Sequence, residues 1–173
     1  MKYRSLTFKH GETEDHKMAV DEVYWFLENH KLDYRWFINV NCPVEYPPEI
    51  VAQLPKNRTY EGHIFDVGIF KVVGQHDKHY PYSKHIPIAF IEINGNVGYD
   101  YRDGVDRVKH ANPTKHSLKK QQQNDKINKN YCELKGIIYK TLLKEEINGD
   151  ISDKDRKKNS LVYLTRELFE FIK

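Results

Sequence analysis

Residues 86–93 read IPIAFIEI, and this stretch decides the fold. The run is nearly all apolar and rich in β-branched residues. It lacks the polar alternation of a half-exposed strand, which predicts a central strand buried on both faces. Asn94-Gly95 closes it with turn chemistry. Upstream, Gly62 to Val73 (GHIFDVGIFKVV) predicts a second strand and Tyr34 to Val40 (YRWFINV) a third. Pro43, Pro47, Pro48 and Pro55 predict an irregular excursion between those two strands, reaching about Asn57. Residues 14–30 (EDHKMAVDEVYWFLENH) carry Met18, Ala19, Val23, Phe26 and Leu27 at helical spacing. Tyr24, Trp25 and Trp36 are read as core. Downstream lie a polar loop over 96–112 and a long helix from Thr114 to Leu134, stopped by Gly136. A strand from Ile137 to Leu143 and a charged loop from Asn148 to Asn159 follow. The last element is an amphipathic helix from Ser160 to Ile172, with Ser160 as N-cap, suited to packing or to a homodimer surface. The order α-β-β-β-α-β-α predicts one α/β (α+β) domain over residues 1–173, with a central mixed sheet flanked by helices.

The bulk numbers set the function classes. A chain of 173 residues with 39% hydrophobic residues has enough material for one core. The net charge of +3 is too small to imply nucleic acid by itself, so the placement of basic residues matters more. Cys42 and Cys132 lie far apart and form no CxxC pair, which argues against a structural zinc site or a disulfide framework. His76, Asp77, His79 and His85 cluster in a polar loop whose spacing fits no standard zinc pattern. Met1 to Glu14 holds no apolar run, and no stretch approaches a membrane span, so an intracellular, cytoplasmic location is expected.

Two carboxylates stand inside strands: Asp66 in HIFDVGIF and Glu92 in IAFIEING. Burying a carboxylate is costly unless it is paired or bound to metal. If the strands are neighbours, the two groups can converge. A pair of hard oxygen ligands suits Mg²⁺, with Mn²⁺ as a substitute, and such an ion lowers the pKa of bound water. The alternative is that either residue sits at a strand end in solvent or pairs with a lysine.

The helix after Glu92 places Leu118, Gln122, Asp125 and Lys129 on one face. Lys129 is a candidate to position water or the scissile phosphate, with Lys126 as a competitor. Asp125 and Lys129 also read as an i,i+4 ion pair on a solvated face. Arg102, Arg107, Lys109, Lys115, Lys119 and Lys120 form a basic run able to track a DNA backbone, or a plain charged surface.

FDVGIF, then IAFIEING, then KQQQNDKINKNYCELKGIIY resemble the very-short-patch-repair and phage homing endonucleases, a branch of the PD-(D/E)XK superfamily. The resemblance covers roughly residues 14–143. It implies an αβββαβ restriction-endonuclease-like core and metal-dependent cleavage of DNA, with a phage or mobile-element setting. It also implies that Glu22 matches the acidic residue many members carry in the first helix; an ordinary exposed helix position is the alternative. Three positions depart from the pattern. Asn94 stands where the superfamily has a lysine, Asn128 where relatives often have a helix lysine, and Gly98 where they often have a histidine. Either the site is rebuilt with His63, Lys126 or Lys129, or catalysis is weakened; two other readings stay open: an inactive nucleic-acid-binding module on a nuclease scaffold, and an RNA-directed nuclease.

Overall fold

A computed structural model describes residues 14–30, 36–58, 60–74, 84–94, 99–100, 105–106, 115–143 and 147. Helix α1 (Glu14–His30) is followed by strand β1 (Trp36–Glu45) and the short helix α2 (Pro48–Val51). Strands β2 (Gly62–Val73) and β3 (Lys84–Asn94) come next, then the two-residue strands β4 (Tyr99–Asp100) and β5 (Val105–Asp106). Helix α3 (Lys115–Lys135) and strand β6 (Ile138–Leu143) complete the order. The main sheet runs β1-β2-β3-β6. Its first three strands pair antiparallel, and β6 lies parallel to β3. That parallel pair needs a crossover, which α3 supplies. The result is an α+β fold with a four-stranded mixed sheet and helices on both faces.

Alternation along β3 sorts the two cores. Ala89, Ile91 and Ile93 face α1, where Ala19, Val20, Val23 and Leu27 meet them. Ile147 joins this core from beyond β6. Phe90 faces the other way, toward Ile127, Tyr131 and Cys132 of α3, and its ring stacks on Phe65 at 4.2 Å. Helix α3 ends in a Schellman motif: Ile137 N–H donates to Cys132 O, Gly136 N–H to Glu133 O, and Gly136 takes φ 66.

Several sequence expectations are corrected. β1 does not stop at Val40 but continues through Pro43 to Glu45. It is an edge strand, where a proline's missing N–H removes no ladder bond on the open side. Pro87 lies within β3, yet pairing with β6 begins only at Ala89, and the β2 side is irregular between Ile69 and Phe70. The expected loop over 96–112 contains the β4–β5 pair. On α1, Met18 and Trp25 are exposed, not core; the buried stripe passes through Val20 instead, and Trp36 is buried as expected. The helix expected over 160–172 lies outside the described residues, as do Gly98 and the cluster at His76, Asp77 and His79. His85 is described; its ring stacks on Phe37 at 4.6 Å. No helix among the described residues is long and apolar enough to cross a membrane.

Candidate active site

Asp66 owes its position to a break in strand alternation. Phe65 belongs to the α3-side core and Val67 to the α1-side core, although they are two residues apart. Opposite this break, between the pairs Val40↔Val67 and Cys42↔Phe65, Asn41 takes a left-handed φ of 50. Asparagine tolerates that conformation better than most residues. Asp66 is thereby only 2% exposed at the point where the β2–β3 ladder ends, at Val67↔Ile91. Its Oδ2 accepts the Ile93 N–H at 2.8 Å, and its Oδ1 lies 3.3 Å from His16 Nε2 on α1. The carboxylate therefore satisfies a backbone donor that β2 no longer serves.

Glu92, the residue before Ile93, is engaged from the α3 side. It is 7% exposed, and its Oε1 meets His63 Nε2 from the start of β2. His63 also packs edge-on against Phe65. Across from this pair, α3 presents Asp125, which is 6% exposed and has an Oδ2 with no hydrogen-bond partner. Burial pushes its carboxyl up to about 7; the Glu92 charge adds to the rise and His63 opposes it. Tyr139 on β6 joins the cluster. Its buried Oη also has no partner, and burial, with Glu92 and Asp125 nearby, raises its pKa. A buried polar atom without a partner is uncommon and invites a ligand or ion. Beside it, the Tyr46 hydroxyl donates to Asn128 Oδ1, and Cys132 is pushed up to about 12, chiefly by burial.

The expected residues divide into three groups. Asp66 and Glu92 sit on neighbouring strands at the same sheet end, but Asp66 is engaged from the α1 side and Glu92 from the α3 side. Gln122 and Lys129 are half-buried on α3, three residues before and four after Asp125; Lys129 Nζ lies 3.5 Å from Glu133 Oε1. Glu22 is exposed, as an ordinary helix position is; His16, at the start of the buried stripe, is an α1 residue that reaches Asp66. The solvated i,i+4 reading of Asp125 is also overturned, because Asp125 is buried. Lys119 is exposed on α3, and Lys115 and Lys120 lie on the same helix with side chains outside the described set. Arg102, Arg107 and Lys109 lie outside the described residues.

His63 is among the residues expected to rebuild the site, and it meets Glu92. His16 and Asp125 were missed as members; the available signal for His16 was its register with Ala19, Val20 and Val23.

The donor set is made of carboxylate oxygens, the hard ligands that Mg²⁺ accepts, and Asp125 Oδ2 is unpartnered. Among the described residues, no trio of His, Cys, Asp and Glu is already arranged as a metal cage. An ion that keeps several of its own waters and takes one or two protein carboxylates fits this set. Comparison with known protein families, curated proteins and solved structures finds no match for this chain.

Proposed function

We propose that this protein is a metal-dependent endonuclease that hydrolyses DNA phosphodiester bonds on a restriction-endonuclease-like αβββαβ core. The observation that carries the reading is the burial of Asp66, Glu92 and Asp125, each under 8% exposed, around one sheet end, with Asp125 Oδ2 left unpartnered. Three buried carboxylates are costly to keep in a fold, and a bound cation offsets that cost. In this reading Asp66 and Glu92 hold the ion, which when bound lowers the pKa of a coordinated water and neutralises phosphate charge. His16 and the Ile93 N–H hold the Asp66 carboxylate in place, and His63 holds that of Glu92. Asp125 Oδ2 offers an acceptor to the attacking water. Gln122 and Lys129 flank it and contact the scissile phosphate, taking over the role that Asn94 cannot fill.

A second reading has a specific observation behind it. Asn128 stands where relatives often have a lysine, and it is 2% exposed and bound by the Tyr46 hydroxyl. A fixed amide there suits a scaffold that binds nucleic acid without cutting it. Incubation of the full chain with plasmid, linear and branched DNA in Mg²⁺, Mn²⁺ or EDTA separates the two. The nuclease reading expects cutting with either metal and none in EDTA. Binding without cutting under every metal condition selects the scaffold reading.

A further inference from the structure

The loop entering β2 carries an aromatic side chain that the catalytic reading does not use. Tyr60 is 51% exposed. The hydroxyl end of its ring lies against Gly62: a β-carbon at that glycine would come within 3.0 Å of the Tyr60 Cζ and Oη atoms and 2.3 Å of the Val44 carbonyl oxygen. Only glycine permits this close approach, so that end of the ring is held against the chain while the side chain remains half open to solvent.

Arg58 locks the loop in place. Its Nε donates to Tyr60 O at 3.0 Å, its Nη2 to Gly62 O at 2.7 Å, and its Nη1 to Asn124 Oδ1 at 3.1 Å. Its guanidinium also lies over the Tyr46 ring at 5.6 Å. These bonds tie the loop both to the residue before His63 and to the residue before Asp125. A half-exposed ring, held at one end by the chain and tied through Arg58 to the neighbours of His63 and Asp125, matches the stacking platforms that hold unpaired bases. A paired base inside a duplex has both faces covered by its neighbours and offers none to the ring.

We infer that Tyr60 stacks on an unpaired base of a DNA strand whose backbone reaches the Glu92–Asp125 cluster, so that the substrate is single-stranded, frayed or flapped DNA. The inference rests on the nuclease reading for its choice of ligand. Exposed Lys56 and Lys126 supply cations on the loop and on α3 for the adjoining phosphates.

The test uses the full chain in EDTA, where binding is read without cleavage. The probe is a short oligodeoxynucleotide with one 2-aminopurine, offered single-stranded, fully paired, and as the matching oligoribonucleotide. The wild type is expected to quench the single-stranded DNA probe. Tyr60→Ala and Tyr60→Leu are expected to lose the quenching and to bind about tenfold more weakly, while Tyr60→Phe and Tyr60→Trp keep both. On duplex, Tyr60→Ala should change affinity by less than about twofold. Unaltered quenching in Tyr60→Ala overturns the inference, as does an equal loss on duplex and single strand. Tyr60-dependent binding that is stronger on RNA overturns DNA as the ligand. Wild-type cleavage in Mg²⁺ is scored separately. A Tyr60-dependent probe on a protein that cuts nothing removes the nuclease reading alone, and an indifferent Tyr60 on a protein that cuts removes this inference alone.

Discussion

Asp125 illustrates how a single buried carboxyl ties stability to pH. Its pKa rises to about 7, first through burial and then through the Glu92 charge. An unfolded aspartate titrates near about 4, so between about pH 4 and 7 the folded protein keeps a proton that the unfolded chain has lost. Metal-free stability therefore falls as pH rises through that window and levels off above it. Asp125→Asn removes the buried charge. In EDTA it should melt several degrees above the wild type at about pH 8, with the gap closing near about pH 4. A gap of equal size at both pH values would exclude the burial argument. Asp66 makes the opposite case, because its Oδ2 satisfies the Ile93 N–H. Asp66→Ala orphans that buried donor and should cost about 1–3 kcal/mol, whereas Asp66→Asn keeps an acceptor and should lose cleavage with much less stability. Urea melts of the two variants check the split, and equal losses would contradict the assigned hydrogen bond.

At the scale of elements, α3 joins the carboxylate cluster to the core. The face that carries Asp125 and Asn128 also carries Tyr131 and Cys132. Cys132 is fully buried and its thiol is pushed up to about 12, mainly by burial. It should resist thiol reagents in the native protein at neutral pH and react fully only in denaturant; stoichiometric labelling of native Cys132, read by mass spectrometry, would show that α3 does not pack as described. The apolar runs of β2 and β3, the stop at Gly136 and the α-β-β-β-α-β order were legible because period and turn chemistry are local properties. Asp66 and Glu92 were legible because carboxylates inside apolar strands are rare. Asp125 was not, because a lysine four residues away makes it look like a solvated pair, and only the packing of α3 buries it. Glu22 stayed open between a site member and an exposed helix position, because acidic character on a helix does not say which face meets the sheet; it is exposed. Trp25 was misplaced because its size suggests core, while the buried stripe of α1 runs through smaller residues.

For the molecule as a whole, a net charge of +3 is weak, so on the proposed nuclease reading contacts from particular lysines must carry the affinity for DNA. DNA binding should persist in EDTA and weaken steeply with salt, as counterions displaced by phosphate contacts return. Fluorescence anisotropy across a salt series checks this, and an affinity indifferent to salt would remove the backbone-tracking role of the basic run from Arg102 to Lys120. The central claim is that the carboxylate cluster at the β2–β3 end binds the ion that cleaves DNA. Its most direct test is single-turnover cleavage of one DNA substrate by wild type and Glu92→Ala, purified alike and checked for equal melting, in Mg²⁺ and in EDTA. The account predicts cutting by the wild type in Mg²⁺ alone and a loss of about 10³-fold or more in Glu92→Ala. Cutting by Glu92→Ala at the wild-type rate, or by the wild type undiminished in EDTA, would contradict it.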